Sequence, residues 1–176
     1  VIELGVSLAP LGLPDDPFFA HANPDSAQWP LYRNPTGPDL HALDAWNVTP
    51  GDTSVVVAVI DSGVDWHHPE FGGAPGPDSN IQVNWRELSG QPGADDDQNG
   101  FVDDYRGWDF VDVSLISGES NRVAQLDDRF MADNDPNDYD GHGTFVSGII
   151  AARADDGLGM AGAAPDPPAS MKGLRS

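Results

Sequence analysis

Hydrophobic positions in this chain fall into three patterned blocks separated by long polar stretches. Residues 55–60, "VVVAVI", form an uninterrupted run bounded by a turn and a nearby glycine, which predicts a strand buried on both faces, as in a parallel sheet. Upstream, "DLHALDAWNV" over 39–48 sets Leu40, Leu43 and Trp46 at helical spacing after an aspartate cap, predicting a short amphipathic helix. Downstream, 141–153 puts Phe145, Val146, Ile149 and Ile150 on one apolar helical face. Gly143, Ser147, Gly148, Ala151 and Ala152 are small enough there for close approach to a sheet. Between strand and helix, residues 72–140 hold turn residues and acid clusters with almost no regular pattern, a length that predicts a functional or ion-ordered segment. Proline-rich residues 1–38 read as an extended arm wrapping a body built from 39–176.

Composition sharpens this picture. The 176 residues, 39% of them apolar, suffice for one domain with a core, while 20 Gly and 16 Pro make it rich in loops. A net charge of −21 repels phosphate backbones and anionic lipid, so neither nucleic acid nor membrane surface is an expected partner. The same charge suits divalent cations. With no cysteine there is no disulfide framework and no thiolate metal site, and no apolar run reaches transmembrane length. The chain opens on Val1 without a basic then apolar leader, so cleavage from a longer precursor, or a start partway along one, is expected.

Two residues stand where chemistry is usually built. Asp61 ends the apolar strand, at the edge where open α/β sheets place their sites, although an aspartate there also caps turns. His142 opens the later helix between Gly141 and Gly143. Glycines on both sides admit close approach of another segment or a sharp turn. The positive helix end favours the neutral imidazole that a general base needs, whereas a nearby Asp61 would pull the other way and fix the tautomer through Nδ1.

In sequence, "AVIDSGVDWHHPEF" and "DGHGTFVSGIIAA" resemble the aspartate and histidine signatures of the subtilisin-like serine proteases. "DLHALDAWNVTPG" and "DDGLGMAGAAP" have look-alikes in that family too, so the resemblance covers most of 29–165. It implies an α/β fold, the N-terminal part of a subtilisin-like parallel-sheet domain. It casts Asp61 as the acid that orients the histidine and His142 as the general base of an Asp-His-Ser triad. His68 matches a family histidine with a structural role, and Phe145 stands where the family more often has a second histidine.

The family's serine segment, Gly-Thr-Ser-x-Ala-x-Pro, and its oxyanion asparagine have no counterpart in this sequence. Ser62 is a turn residue, Ser147 lies within the helix, and Ser170 and Ser176 sit in an unpatterned tail. Where the family resumes an apolar strand, "DPPASMKGLRS" brings prolines and a glycine, poor central-strand residues. The expectation is therefore an incomplete domain, its continuation lost to truncation or frameshift, with a natural divergent end as the alternative, and a long apolar sheet edge exposed.

The segment "DDDQNGFVDD" over 95–104 is a second signal. Asp95, Asp97 and Asn99 alternate, Gly100 turns the chain, the Phe101 carbonyl falls at a seventh position, and Asp103 and Asp104 return with further carboxylates. This repeats the opening of a calcium loop, but Arg106 at the twelfth position rules out an EF-hand. The resemblance supports Ca2+ here, because many bacterial members carry a similar insertion leading into "GWDF", present at 107–110. It also offers Glu70 with Asp155 and Asp156 as a second calcium position. The acids from Asp127 to Asp138 read as a solvated loop.

The leading expectation is a fragment of a secreted, calcium-stabilised serine endopeptidase acting on peptide or protein substrates. It is inactive alone because it lacks the serine. The alternatives are a non-catalytic calcium-binding remnant, or one half of a split protease whose missing C-terminal half is another chain.

Overall fold

The computed structural model describes residues 13–19, 28, 30–31, 38–52, 54–73, 79–111, 132–165 and 170–175. The acids Asp127 and Asp128, Ser176 and much of the proline-rich arm lie outside these residues.

Among the described residues a parallel three-stranded sheet organises the fold. Strand β1 is Val56–Asp61, β2 is Gly107–Asp109 and β3 is Ser170–Arg175, in the order β1-β3-β2. The β-branched side chains of Val56, Val57, Val59 and Ile60 favour the extended backbone of β1. Its register on β3 runs from Val56 opposite Ser170 to Asp61 opposite Arg175. Strand β2 pairs on the other side, from Gly107 opposite Gly173 to Asp109 opposite Arg175.

This corrects the reading of the tail, because 170–175 is the central strand rather than an unpatterned end. Pro167 and Pro168 precede the first paired residue, so every residue in the ladder keeps its N–H. Gly173 weakens a strand by only about 0.5–1 kcal/mol. The middle segment is corrected as well. Within 72–140 the chain forms a four-residue helix α2, Trp85–Leu88, the strand β2, and an antiparallel bridge between Asp109 and Asp133.

Strand β1 is buried on one face only. Val59 packs with Val64, Phe71, Ile81 and Ala151, and Val146 and Ile150 close the cluster. The opposite face, Val56, Ala58 and Ile60, is exposed, Ile60 at 66%. Helix α3, His142–Ala151, lies against β1.

The apolar face expected of α3 is also divided. Its buried residues are Gly143, Ser147, Gly148 and Ala151, while Phe145 is 62% exposed and Ile149 is exposed too. Small side chains face the sheet because the approach is too close for larger ones: a Cβ on Gly143 would collide with the Gly63 carbonyl oxygen.

The short helix α1 is Ala42–Trp46, later than the expected aspartate cap implies. His41 occupies the N-cap position in a left-handed conformation, and the Asp39 carboxylate accepts the His41 N–H at 2.8 Å. Ala42 and Trp46 pack with Phe19, Leu31 and Ala161, so described parts of the proline-rich arm share a core with α1. Trp46 Nε1 donates to the Ala163 carbonyl. The Gln28 amide both donates to and accepts from the Ala161 backbone.

Candidate active site

Asp61 closes β1, and its Oδ1 accepts the Ser62 N–H at 2.7 Å as the chain leaves the sheet. Gly63 follows at φ 116, where a Cβ would lie 2.6 Å from the Asn137 carbonyl oxygen. On the facing segment, Gly141 turns the chain into α3 at φ 98 and His142 is the first helical residue. These two turns bring His142 Nδ1 to 2.7 Å from Asp61 Oδ1.

The imidazole is otherwise open to solvent, with 64% of the side chain exposed against 20% for Asp61. The hydrogen bond to Asp61, then its charge, raises the histidine pKa above its ordinary value, and Asp140 and Asp138 add to this. The same bond, with the Ser62 amide, lowers that of Asp61. An Nδ1–H donated to the carboxylate leaves Nε2 with its lone pair, the arrangement of a general base.

Two serines near this pair are otherwise placed. Ser62 Oγ donates to Asp138 and accepts the Gly143 N–H, and Ser147 is fully buried within α3. His68 caps the 3₁₀ turn Pro69–Phe71 by accepting the Glu70 N–H, a structural placement. Asp138 corrects an expectation, since it is half-buried and hydrogen-bonded to the start of α3 rather than solvated.

The acidic loop divides the expected calcium set. Asp97 and Asp104 come together with Glu87, offering three ligand atoms within 4.8 Å of one another. Glu87, on α2, was not among the expected ligands and is only 3% exposed. Its carboxylate accepts the Asp97 and Asp103 amides, so it ties both arms of the loop together. Asn84 donates to Asp97 and Asp104, and the Asn99 side chain does the same.

The other expected members face the backbone. Asp95 accepts the Asn99 and Gly100 amides, and Asp103 accepts that of Gly93. The Phe101 N–H donates to Asn99 Oδ1, and its ring packs on Trp108 and Phe110. The only sequence signal for Glu87 is its position one turn after Asn84, in a segment too short to show a period.

A second acid group joins the arm to the loop after α3. Asp15, Asp16 and Asp155 offer ligand atoms within 4.8 Å. Asp16 is 3% exposed, its Oδ1 has no hydrogen-bond partner, and burial raises its pKa. Glu70 stands close enough for the Asp16 charge to act on it, although its carboxylate accepts the Met160 N–H. Burial raises the Glu70 pKa too, and the Asp156 charge adds to this. Sequence reasoning offered Glu70 with Asp155 and Asp156; the grouping that forms draws on Asp15 and Asp16 instead, brought in by folding from far upstream.

Comparison with known proteins agrees with this architecture. The family model for the subtilase family, Peptidase S8, matches residues 52–169. Subtilisin-like protease 1 of Plasmodium vivax is 39% identical over 135 residues, 74% of this chain and 18% of that protein. Its Plasmodium falciparum (isolate 3D7) counterpart is 36% identical over 129 residues, 72% of the chain and 15% of that protein. A thermophilic serine proteinase of Bacillus sp. (strain AK1) is 30% identical over 122 residues, 69% of the chain and 18% of its own length. The chain thus spans less than a fifth of each of these relatives. With the model matching well over half of its residues, the chain belongs to the subtilase family.

Proposed function

We propose that this chain carries the acid and base of a serine endopeptidase, with Asp61 orienting His142 and His142 serving as general base. The supporting observation is the 2.7 Å contact between Asp61 Oδ1 and His142 Nδ1, at the carboxyl end of β1, in a member of the subtilase family. Asp61 holds the tautomer with Nδ1–H, so Nε2 takes the proton of an attacking serine hydroxyl. The resulting imidazolium is stabilised by Asp61 and returns the proton to the leaving amine. Peptide or protein is the substrate class.

Residues 1–38 serve as the arm and 39–176 as part of the catalytic domain. The chain itself contains no Gly-Thr-Ser-x-Ala segment, so alone it does not hydrolyse peptides. Secretion is inferred from family resemblance, and among the described residues no helix is long and apolar enough to cross a membrane.

Calcium fits both acid groups. Buried Glu87 and Asp104 beside Asp97, and the unpartnered Oδ1 of buried Asp16, are hard oxygens suited to that cation. Bound there, Ca2+ supplies charge neutralisation and loop order. Asp95, Asn99 and Asp103 support the first position by holding the loop around it.

A fluorophosphonate probe tests the enzyme reading. The chain alone remains unlabelled, whereas the chain continued into, or mixed with, a serine-bearing subtilase segment labels and loses labelling in His142→Ala. Equal labelling of the parent and His142→Ala overturns the base assignment. Calcium binding with no labelling in any combination favours the non-catalytic remnant.

A further inference from the structure

One carboxylate beside the candidate pair accepts five hydrogen bonds. Asp138 Oδ1 takes the Ser62 hydroxyl at 3.0 Å, the Asp140 amide at 3.0 Å and the Gly141 amide at 2.8 Å. Its Oδ2 takes the Thr144 amide at 2.8 Å and the Thr144 hydroxyl at 2.6 Å. Both hydroxyls are also used as acceptors: Ser62 Oγ takes the Gly143 N–H, and Thr144 Oγ1 takes the Asp65 N–H, each at 2.9 Å.

Proton bookkeeping fixes the direction of this network. With a lone pair of each hydroxyl holding an amide, each hydroxyl proton points at Asp138. Every group facing that carboxylate is then a donor, which only the ionised form satisfies fully. Burial pushes its pKa up, yet the bonds from Thr144, Gly141 and Asp140 outweigh this and hold it below the ordinary value. Asp138 thereby ties Ser62, next to Asp61, and through Thr144 also Asp65, to the residues on either side of His142.

We infer that Asp138 is the positioning residue for His142, fixing the first turn of α3 against the turn after β1 so that the imidazole meets Asp61. This rests on reading Asp61 and His142 as the acid–base pair. An asparagine of the same shape fails here, because its NH2 confronts amide and hydroxyl donors where an oxygen had accepted them.

The test is NMR of the full chain with labelled histidine, reading the downfield Nδ1–H resonance and the titration of His142, assigned by its absence in His142→Gln. Asp140→Asn is the control for charge alone, since Asp140 also raises the His142 pKa and its carboxylate is exposed. Asp138→Asn is expected to lose the Nδ1–H resonance and to lower the His142 pKa further than Asp140→Asn does. Ser62→Ala and Thr144→Val, each removing one arm, weaken the resonance in the same direction.

An Asp138→Asn protein that keeps the resonance, or shifts no more than Asp140→Asn, overturns the inference. If Asp138→Asn does not fold, unchanged resonances in both single-arm variants overturn it instead. Asp61→Asn, measured in parallel, separates the two ideas. An unmoved His142 there sinks the pair itself, while a moved His142 with a silent Asp138→Asn sinks only the positioning role.

Discussion

At the scale of single residues, the Asp61–His142 contact has a defined pH signature. The histidine pKa is raised, so its contribution to stability is complete below the ordinary value of 6.5 and is lost as pH climbs through the raised one. The aspartate pKa is lowered, so its contribution is complete above 3.8 and is lost as pH falls through the lowered one. The urea midpoint of the parent should therefore exceed that of His142→Gln most between 3.8 and 6.5, the gap narrowing on either side. Close approach at the same place gives a second expectation. Gly143→Ala meets the Gly63 carbonyl and should cost about 1–3 kcal/mol by urea unfolding. Asp61 and His142 were legible in the sequence because each sits where a strongly patterned element meets a glycine turn. Asp138 was not, since one acid among many looks solvated until its partner Ser62 arrives from across the fold.

At the scale of elements, α2 matters more than its four residues suggest. Glu87 braces both arms of the acidic loop by accepting the Asp97 and Asp103 amides. Glu87→Gln removes charge from a three-acid group of which Glu87 and Asp104 are buried, so calcium affinity measured by titration calorimetry should fall about tenfold or more. Asp103→Asn, whose carboxylate faces the Gly93 amide, should lose less. A greater loss in Asp103→Asn would return that residue to the centre of the site. The convergence of Asp97 and Asp104 was readable from the alternating acids of 95–104 because spacing within one loop is local. Glu87 was hidden because its contribution comes from packing one element on another. The two-faced burial expected of β1 and the undivided apolar face expected of α3 failed for a related reason. Both assumed more covering layers than the described residues provide, and the close β1–α3 contact reserves the inner helix face for small side chains.

For the molecule as a whole, a net charge of −21 makes cations part of the stability argument. Burial raises the pKa of Asp16 and of Glu70. Without a cation, stability therefore falls as pH rises from the ordinary carboxylate value through the raised one. Calcium at about a hundred times its Kd stabilises by about 2.7 kcal/mol per site. The melting temperature in calcium minus that in chelator should thus widen as pH climbs through this range, and a constant difference would separate the ion from these acids. The sheet itself was only half legible. Strand β1 announced itself by its β-branched run, whereas β3 has no such pattern and acquires its place from backbone pairing on both sides. That placement sets an order of assembly. Strands β1 and β2 do not touch each other in the sheet; each is held by β3, which pairs with Val56 only after more than a hundred intervening residues. On a ribosome the first strand therefore waits, the backbone N–H and C=O groups along its β3 edge unpaired, until the chain has reached Arg175, and an intermediate recognisable to chaperones is the natural price of that wait.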